Sequence, residues 1–427
     1  MLTANGEQLL KGFAATAYPS TLTEAAKGIY HVMGYAHSNS IFIIAEKSVI
    51  LIDTLDTDVR AEKLKSLIAG ITDKPVKTLI YTHGHPDHRG GAAAFKDTVA
   101  EIIAFAPKKA VLGRTAALND ILKKRAAFQH GYSLSDAEAL TQGIGIREGF
   151  TAGAGNYAFV PPTTVYEEDK VRRTIDGIEL ELVWAPGETD DQIFVWLPAS
   201  KVLCCGDNYY ACFPNLYALR GMQYRDVGAW IDSLDLMLTY PAECVLPGHT
   251  KPLIGKDVVR DVLSNFRNAI DFVLTETLQG MNRGLSADEL ADTIKLPEHL
   301  ARLPYLGEFY GTVAWSVRAI YSGYVGWFDG NPTNLNNLPP REHAIKMIDL
   351  IGGETKVLAE IEKALSDQNA QWAIELCDLL IASGREAERA KRLKAQGLLA
   401  LSKLETSANG RHYYIACAKE LLGGAAS

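Results

Sequence analysis

The sequence predicts an α/β half followed by an all-α half. Short β-branched runs such as Ile41-Phe-Ile-Ile44 and Val49-Ile-Leu-Ile52 alternate with stretches of helical spacing up to about residue 256. Beyond that point the strand-like runs stop, and apolar residues fall at i, i+3, i+4 and i+7, as in Ala373, Leu376, Cys377 and Leu380. The length, 427 residues, exceeds one compact domain and suits two units, expected at 1–256 and 257–427.

The elements follow in order. Residues 1–28 have a mixed pattern and are expected on the surface. The runs 41–44 and 49–53 read as paired strands buried on both faces, divided by a polar turn. Residues 58–70 predict a helix with Val59, Leu64, Leu67 and Ile68 on its buried side. Residues 76–81 form a strand that runs directly into a histidine cluster. A helix near 90–97, a strand at 102–103 and a helix near 114–128 come next. From 143 to 162 the chain is glycine-rich and aperiodic, a long loop of the kind that often carries function. Strands at 179–184, 193–197 and 202–205, a helix near 226–238 and a strand at 244–246 complete the first half. The second half reads as helices over 258–279, 286–294, 309–323 and from 341 onward. Residues 353–422 suit two antiparallel helix pairs, similar to tetratricopeptide-type stacking.

Composition narrows the functional classes. The formal charge is −8, which disfavours nucleic acid and acidic membranes, so an anionic ligand must be drawn by local cations. Cys204, Cys205, Cys212, Cys244, Cys377 and Cys417 form no CxxC pair, and most sit among apolar neighbours, as free buried thiols do. The first residues hold no basic segment followed by an apolar run, and no apolar stretch reaches roughly 18 residues. A cytoplasmic protein without a membrane span is expected, or a periplasmic one if a leader has been removed.

The densest chemistry lies at Thr82-His83-Gly84-His85-Pro86-Asp87-His88. Three imidazoles and a carboxylate within six residues suit zinc, iron or manganese. In an extended segment His83 and His85 point the same way, because side chains alternate. Asp87 and His88 lie where the chain turns into a helix and can face a second ion. Further ligands are expected at strand ends: Glu188 in Pro186-Gly-Glu-Thr189, Asp207 in Gly206-Asp-Asn208, and His249 in Pro247-Gly-His-Thr250. Each follows a glycine that lets the backbone turn closely. Singly, each reads as an ordinary loop residue; with 83–88 they form a set.

The succession HxHxDH, PGxT, GD and PGH resembles the metallo-β-lactamase fold, an αββα sandwich with a metal site at one edge of its two sheets. Glu188 stands where histidine is common, which resembles the alkylsulfatase branch. That branch has a second acid nineteen positions later, here Asp207, where glutamate is usual. The segment from Asn215 through Arg220 to Arg225 is similar to the branch's substrate segment. Tyr310 to Arg318, Gly326 to Pro332, Leu338-Pro-Pro340 and Arg411 to Leu421 resemble its helical dimerisation domain. The resemblance covers nearly the whole chain. Gly84 and Arg89 depart from the serine and phenylalanine usual there, and members often continue into a sterol-carrier-like domain that lies beyond this chain.

The resemblance implies a dinuclear hydrolase with two zinc ions per chain, iron or manganese being alternatives. His83, His85 and Glu188 would take the first ion and Asp87, His88 and His249 the second, with Asp207 between them. Asp87 and Asp207 lie closest to the expected chemistry, cleavage of an alkyl sulfate to alcohol and sulfate by a metal-activated water. Attack at sulfur or at carbon stays open. A small anionic ester would be gripped by Arg220 through two parallel N–H bonds, with Arg225, Asn215 and Tyr217 adding donors. Arg225-Asp226 reads equally as a surface ion pair opening a helix. Asp53 reads as an acceptor for a metal-bound histidine or as a strand-end cap. His31, His37 and His130 are lone histidines expected in structural or surface roles. Trp315, Tyr321, Tyr324, Trp327 and Phe328 are expected in the core or at the contact of a homodimer built on the helical half. Three other readings are a hydrolase of lactams, other esters or phosphodiesters on the same fold, a di-iron oxidoreductase, and a helical interaction protein whose metal site is inert. The oxidoreductase is disfavoured because the second half has no strand–glycine–helix nucleotide pattern, and the inert site because the ligand set is full.

Overall fold

The computed structural model describes residues 2–109 and 112–423. In the first sheet β1 (Thr21–Ala26), β2 (Ile29–Met33), β3 (Ser40–Ile44), β4 (Val49–Ile52), β5 (Val76–Ile80), β6 (Glu101–Phe105) and β7 (Thr164–Tyr166) lie side by side in that order. β1 to β4 pair antiparallel, and β4 to β7 pair parallel. The second sheet holds β8 (Lys170–Ile175), β9 (Ile178–Trp184), β10 (Ile193–Leu197), β11 (Val202–Gly206), β12 (Cys244–Pro247) and β13 (Leu253–Ile254), again in chain order. Here only β11 and β12 run parallel.

Side-chain alternation builds the layers. In β4, Ile50 and Ile52 face the second sheet, where they meet Leu182, Val195 and Cys204, while Val49 and Leu51 face outward. The outward face is covered by the helix Asp58–Ala69, whose first turn is capped by the Thr57 side chain. Its buried stripe is Ala61, Leu64 and Ile68. Val59, expected on that side, is exposed; it lies two residues from Ala61, about 200° around the helix. The far face of the second sheet is covered by Val227–Leu238 and Lys256–Asn282. The order is therefore helix, sheet, sheet, helix. Phe266, Ala269 and Val273 of Lys256–Asn282 share one core with Val183, Phe194 and Leu203 of the sheet, so packing is continuous across residue 256. Cys204 and Cys205 are buried on opposite sheet faces as core residues, and the six cysteines are free.

Four local expectations change. Residues 6–17 form a helix and 21–26 a strand, where a surface segment was expected. That helix lies against the helical half: Thr3 N donates to Leu404 O at 2.7 Å, Glu7 pairs with Arg411 at 2.9 Å, and Phe13 stacks on Phe309 at 4.2 Å. The helix expected near 90–97 is a single 3-10 turn, Ala92–Phe95. β8 was not expected because Lys170, Arg172 and Thr174 are exposed, and its cationic side chains mask its alternation. Residues 143–162 carry no helix or strand, as expected.

The chain ends in Glu354–Ser366, Ala370–Ser383, Ala387–Leu404 and Ala408–Leu421, two helix pairs with their own small cores. Among the described residues no helix is long and apolar enough to cross a membrane.

Candidate metal centre

The expected ligands meet at one edge of the sandwich, in loops that follow strand ends. His83, His85, Asp87 and His88 follow β5, Glu188 follows β9, Asp207 follows β11, and His249 follows β12. The turns need their glycines. Gly206 has φ +52, and a Cβ on Gly248 would sit 2.4 Å from Asp207 Oδ1 and 2.7 Å from His88 Cε1.

Three groups of donors lie close enough to hold a cation: His85, Glu188 and Asp207; His83, His88 and Asp207; and His37, Asp87 and His249. On the expected assignment the donors divide into two clusters. In the first, His83 Nε2 is 2.9 Å from His85 Nδ1 and 3.6 Å from Asp207 Oδ2, and His85 Nδ1 is 3.7 Å from Glu188 Oε2. In the second, His88 Nε2 is 3.3 Å from His249 Nε2, 3.4 Å from Asp87 Oδ2 and 3.3 Å from Asp207 Oδ1, and His249 Nε2 is 3.4 Å from Asp87 Oδ2. Tetrahedral zinc with bonds near 2.0–2.1 Å keeps neighbouring donors roughly 3.4 Å apart. The spacing and the imidazole–carboxylate chemistry both fit a small divalent cation in each cluster. Asp207 belongs to both.

Outer partners fix the ring orientations. His88 Nδ1 donates to Asp53 Oδ2 at 2.8 Å, and His249 Nδ1 to His37 O at 3.0 Å. Thr82 Oγ1 donates to Asp53 Oδ2 at 2.7 Å and so accepts from His83 Nδ1 at 3.0 Å. When each ring is neutral, Nε2 is left with its lone pair toward the cluster. Asp53 thus serves both suggested roles, since it also accepts from Thr82 N at 2.8 Å at the strand end. It does so with φ +56, a left-handed conformation held by its backbone N donating to Ile80 O and its backbone O accepting from Ser40 Oγ.

Burial and charge divide the histidines. Burial, helped by the neighbouring His88, pushes His83 down to about 3, and burial with His83 and Arg220 holds His85 well below the usual range. Burial also opposes charge on His88 and His249, but the Asp207 and Asp87 carboxylates outweigh it. They hold His88 well above its ordinary value and push His249 up to about 9. Burial works against ionised Asp207 as well, yet His88 and His249 keep it well below the carboxylate range. Without a cation the second cluster therefore keeps protons that loading must displace.

The clusters open into a cavity of about 370 Å³. His85 and Asp87 are the ligands that reach it most, with side chains 17% and 15% exposed. Arg220 lines it, with Nη2 3.4 Å from His85 Nε2 and its backbone N donating to Gln129 Oε1. Asn215 lines it with a buried side-chain oxygen that has no hydrogen bond. Arg225 is no surface residue. It pairs with Glu188 at 2.9 Å, both side chains being 2% exposed, and donates to Asn215 O, so its charge is committed to Glu188. Tyr217 is not among the lining residues; its hydroxyl accepts from Arg125 at 3.4 Å.

Sequence reasoning missed part of the lining. His37 and His130, expected in structural or surface roles, face the cavity, while His31 is a core residue bonded to Pro247 O. Gln129, Tyr132, Glu148, Tyr157 and Tyr310 also line it. Glu148 and Tyr157 belong to the aperiodic loop, whose length was the one available signal.

Known protein families resemble the chain in both halves. Residues 33–249 match the model of the metallo-beta-lactamase superfamily, and residues 286–424 match the alkyl sulfatase dimerisation model. The chain is 35% identical over 390 residues to a linear primary-alkylsulfatase of Pseudomonas sp., covering 89% of this chain and 73% of that protein. It is 31% identical over 415 residues to an alkyl/aryl-sulfatase of Saccharomyces cerevisiae, covering 94% and 64% respectively. The solved structure of the stereoselective inverting sec-alkylsulfatase Pisa1 from Pseudomonas sp. superposes with a TM-score of 0.86 at 28% identity, over 97% of this chain and 67% of that one. The chain thus spans roughly two thirds to three quarters of the length of these relatives. With a matching sandwich, a matching helical half and a glutamate among its donors, the chain belongs to the alkylsulfatase family of the metallo-beta-lactamase superfamily.

Proposed function

We propose that the chain hydrolyses sulfate esters, releasing an alcohol and sulfate, at a centre of two zinc ions held by His83, His85, Glu188, Asp87, His88, His249 and the shared Asp207. The observation that carries this reading is the array of imidazole and carboxylate donors gathered around Asp207 and opening beside Arg220 and Asn215. Two such cations supply Lewis acidity and lower the pKa of water to about 7. The protein's own side chains do the rest. A neutral His85 that gives its Nδ1 lone pair to a cation carries its proton on Nε2. Arg220 then loses that acceptor, and its guanidinium is left for the sulfate oxygens. Asn215 offers its amide beside it. Arg225 and Tyr210, the latter donating to Glu188 Oε1 at 2.6 Å, hold Glu188 in place.

The test is a panel of alkyl sulfates, phosphate esters and carboxylate esters against zinc-loaded protein, with sulfate measured directly and bound metal counted. Sulfate release and about two ions per chain are expected. Arg220→Ala should lower kcat/KM about 10–100-fold, the worth of a charged hydrogen bond, with metal content unchanged. No sulfate from any ester, or a single ion after full loading, would remove the reading.

The helical half is proposed to form a homodimer. Its family match supports this, as do the exposed apolar side chains of Tyr324, Val325, Trp327, Leu335 and Leu338. Light scattering should then give twice the chain mass of 46.6 kDa, and a clean monomer would refute it.

A further inference from the structure

The cavity has a second wall that the hydrolytic reading leaves unused. Gln129, His130, Tyr132, Glu148 and Tyr157 build it. Glu148 is 4% exposed; its Oε2 accepts from the Tyr157 hydroxyl at 2.5 Å, and its Oε1 lies 3.4 Å from His130 Nδ1, a buried atom without a hydrogen bond. The His130 ring stacks on Tyr132 with centroids 5.6 Å apart.

This wall is held in place. Gly149 N donates to Asp56 Oδ2 at 2.7 Å, Thr57 Oγ1 to Ala154 O at 2.6 Å, and Asn156 N to Asp58 Oδ1 at 2.9 Å. Asp56 is itself tied to Arg60 at 2.7 Å. The loop carrying Glu148 and Tyr157 is thereby fastened to the start of the helix Asp58–Ala69.

A plain hydrocarbon tail is a poor occupant for such a wall. It would strip water from a carboxyl, an imidazole and two phenols and return no hydrogen bond. Ala126, Ile144 and Pro86 are the only aliphatic side chains among the lining residues. Tyr157 and Tyr132 both donate to Glu148, and burial pushes its carboxyl up to about 8. A protonated carboxyl keeps acceptor positions for a further donor, and a bound ammonium would favour its ionised form. The flanking tyrosine rings also favour a cation.

We infer that Glu148, His130, Tyr132 and Tyr157 form a subsite for the organic group of the sulfate ester, and that this group carries a hydrogen-bond donor, a hydroxyl or an ammonium. The inference rests on the sulfate-ester reading above. It is tested on the full, zinc-loaded chain with butyl, 4-hydroxybutyl and 4-aminobutyl sulfate and the matching hexyl series. At one or both lengths, a donor-bearing ester should exceed the plain alkyl ester at least tenfold in kcat/KM, chiefly through KM. Glu148→Leu should abolish the preference. Glu148→Gln should keep a preference for hydroxyl and lose one for ammonium, which separates the two donors. Plain alkyl sulfates turned over as well as or better than both donor-bearing esters by the unaltered protein would overturn the subsite alone, as would a preference that survives Glu148→Leu. No sulfate from any of the six esters would overturn it together with the sulfate-ester reading.

Discussion

Asp207→Ala is expected to lower sulfate release more than 100-fold and to leave no more than one ion per chain. No other side chain belongs to both donor clusters among the described residues: Asp207 lies 3.6 Å from His83, 3.3 Å from His88 and 3.4 Å from His249. Removing a mere outer partner of a ligand typically costs about 10–100-fold in metal affinity or activity. A ligand shared by two sites should cost more. Its loss also leaves His88 and His249 with one carboxylate fewer against which to hold a cation. Asp207→Glu is the control, because it keeps the charge at a longer reach and should recover part of the activity. Metal analysis and sulfate release on the same samples check the result; near-normal turnover in Asp207→Ala would rule out a shared ligand.

The largest effect on stability is expected from Arg225→Ala. Arg225 and Glu188 form an ion pair sealed from solvent on both sides, 2.9 Å apart. Removing one partner of such a pair typically costs about 3–5 kcal/mol, because the other is stranded. Burial already pushes the Glu188 carboxyl above its ordinary 4.5 despite Arg225, and without the arginine it should rise further. A folded-state pKa above the unfolded one means the folded chain binds the extra proton, so stability falls as pH rises. The deficit of the variant should therefore be small near pH 4.5 and grow above it. Zinc gives Glu188 another positive neighbour, so metal-loaded protein should lose less than metal-free protein. Denaturant midpoints at two pH values, with and without zinc, test this. An equal loss under all four conditions would mean that Arg225 supports the fold by packing alone. Arg225→Lys should rescue only partly, because a point charge cannot reach both Glu188 and Asn215 O in a fixed fork.

The donor set was legible because its residues have local signatures. The 83–88 segment concentrates its ligands, and Glu188, Asp207 and His249 each follow a glycine where the backbone turns tightly. The strands were legible where both faces are apolar, as in β4, and lost where one face is charged, as in β8. Helix 6–17 was missed because its partner surface is made by residues some 400 positions away. The second wall of the cavity was missed for the same physical reason. His130, Glu148 and Tyr157 are scattered along the chain, and tertiary packing alone brings them to one place. Arg225 shows the reverse failure. It was expected either as a substrate donor or, with the neighbouring Asp226, in a surface pair, while its actual partner lies 37 positions earlier in the chain.

The contact between Thr3 and Leu404 and the ion pair between Glu7 and Arg411 fasten the start of the chain to the helices that end it. Together with the core shared across residue 256, they tie the helical half to the sandwich at more than one place. Severing the polypeptide at that point would leave each fragment exposing apolar surface that only the other can cover. Heating should accordingly unfold the sandwich and the helix Lys256–Asn282 together, since they share one core.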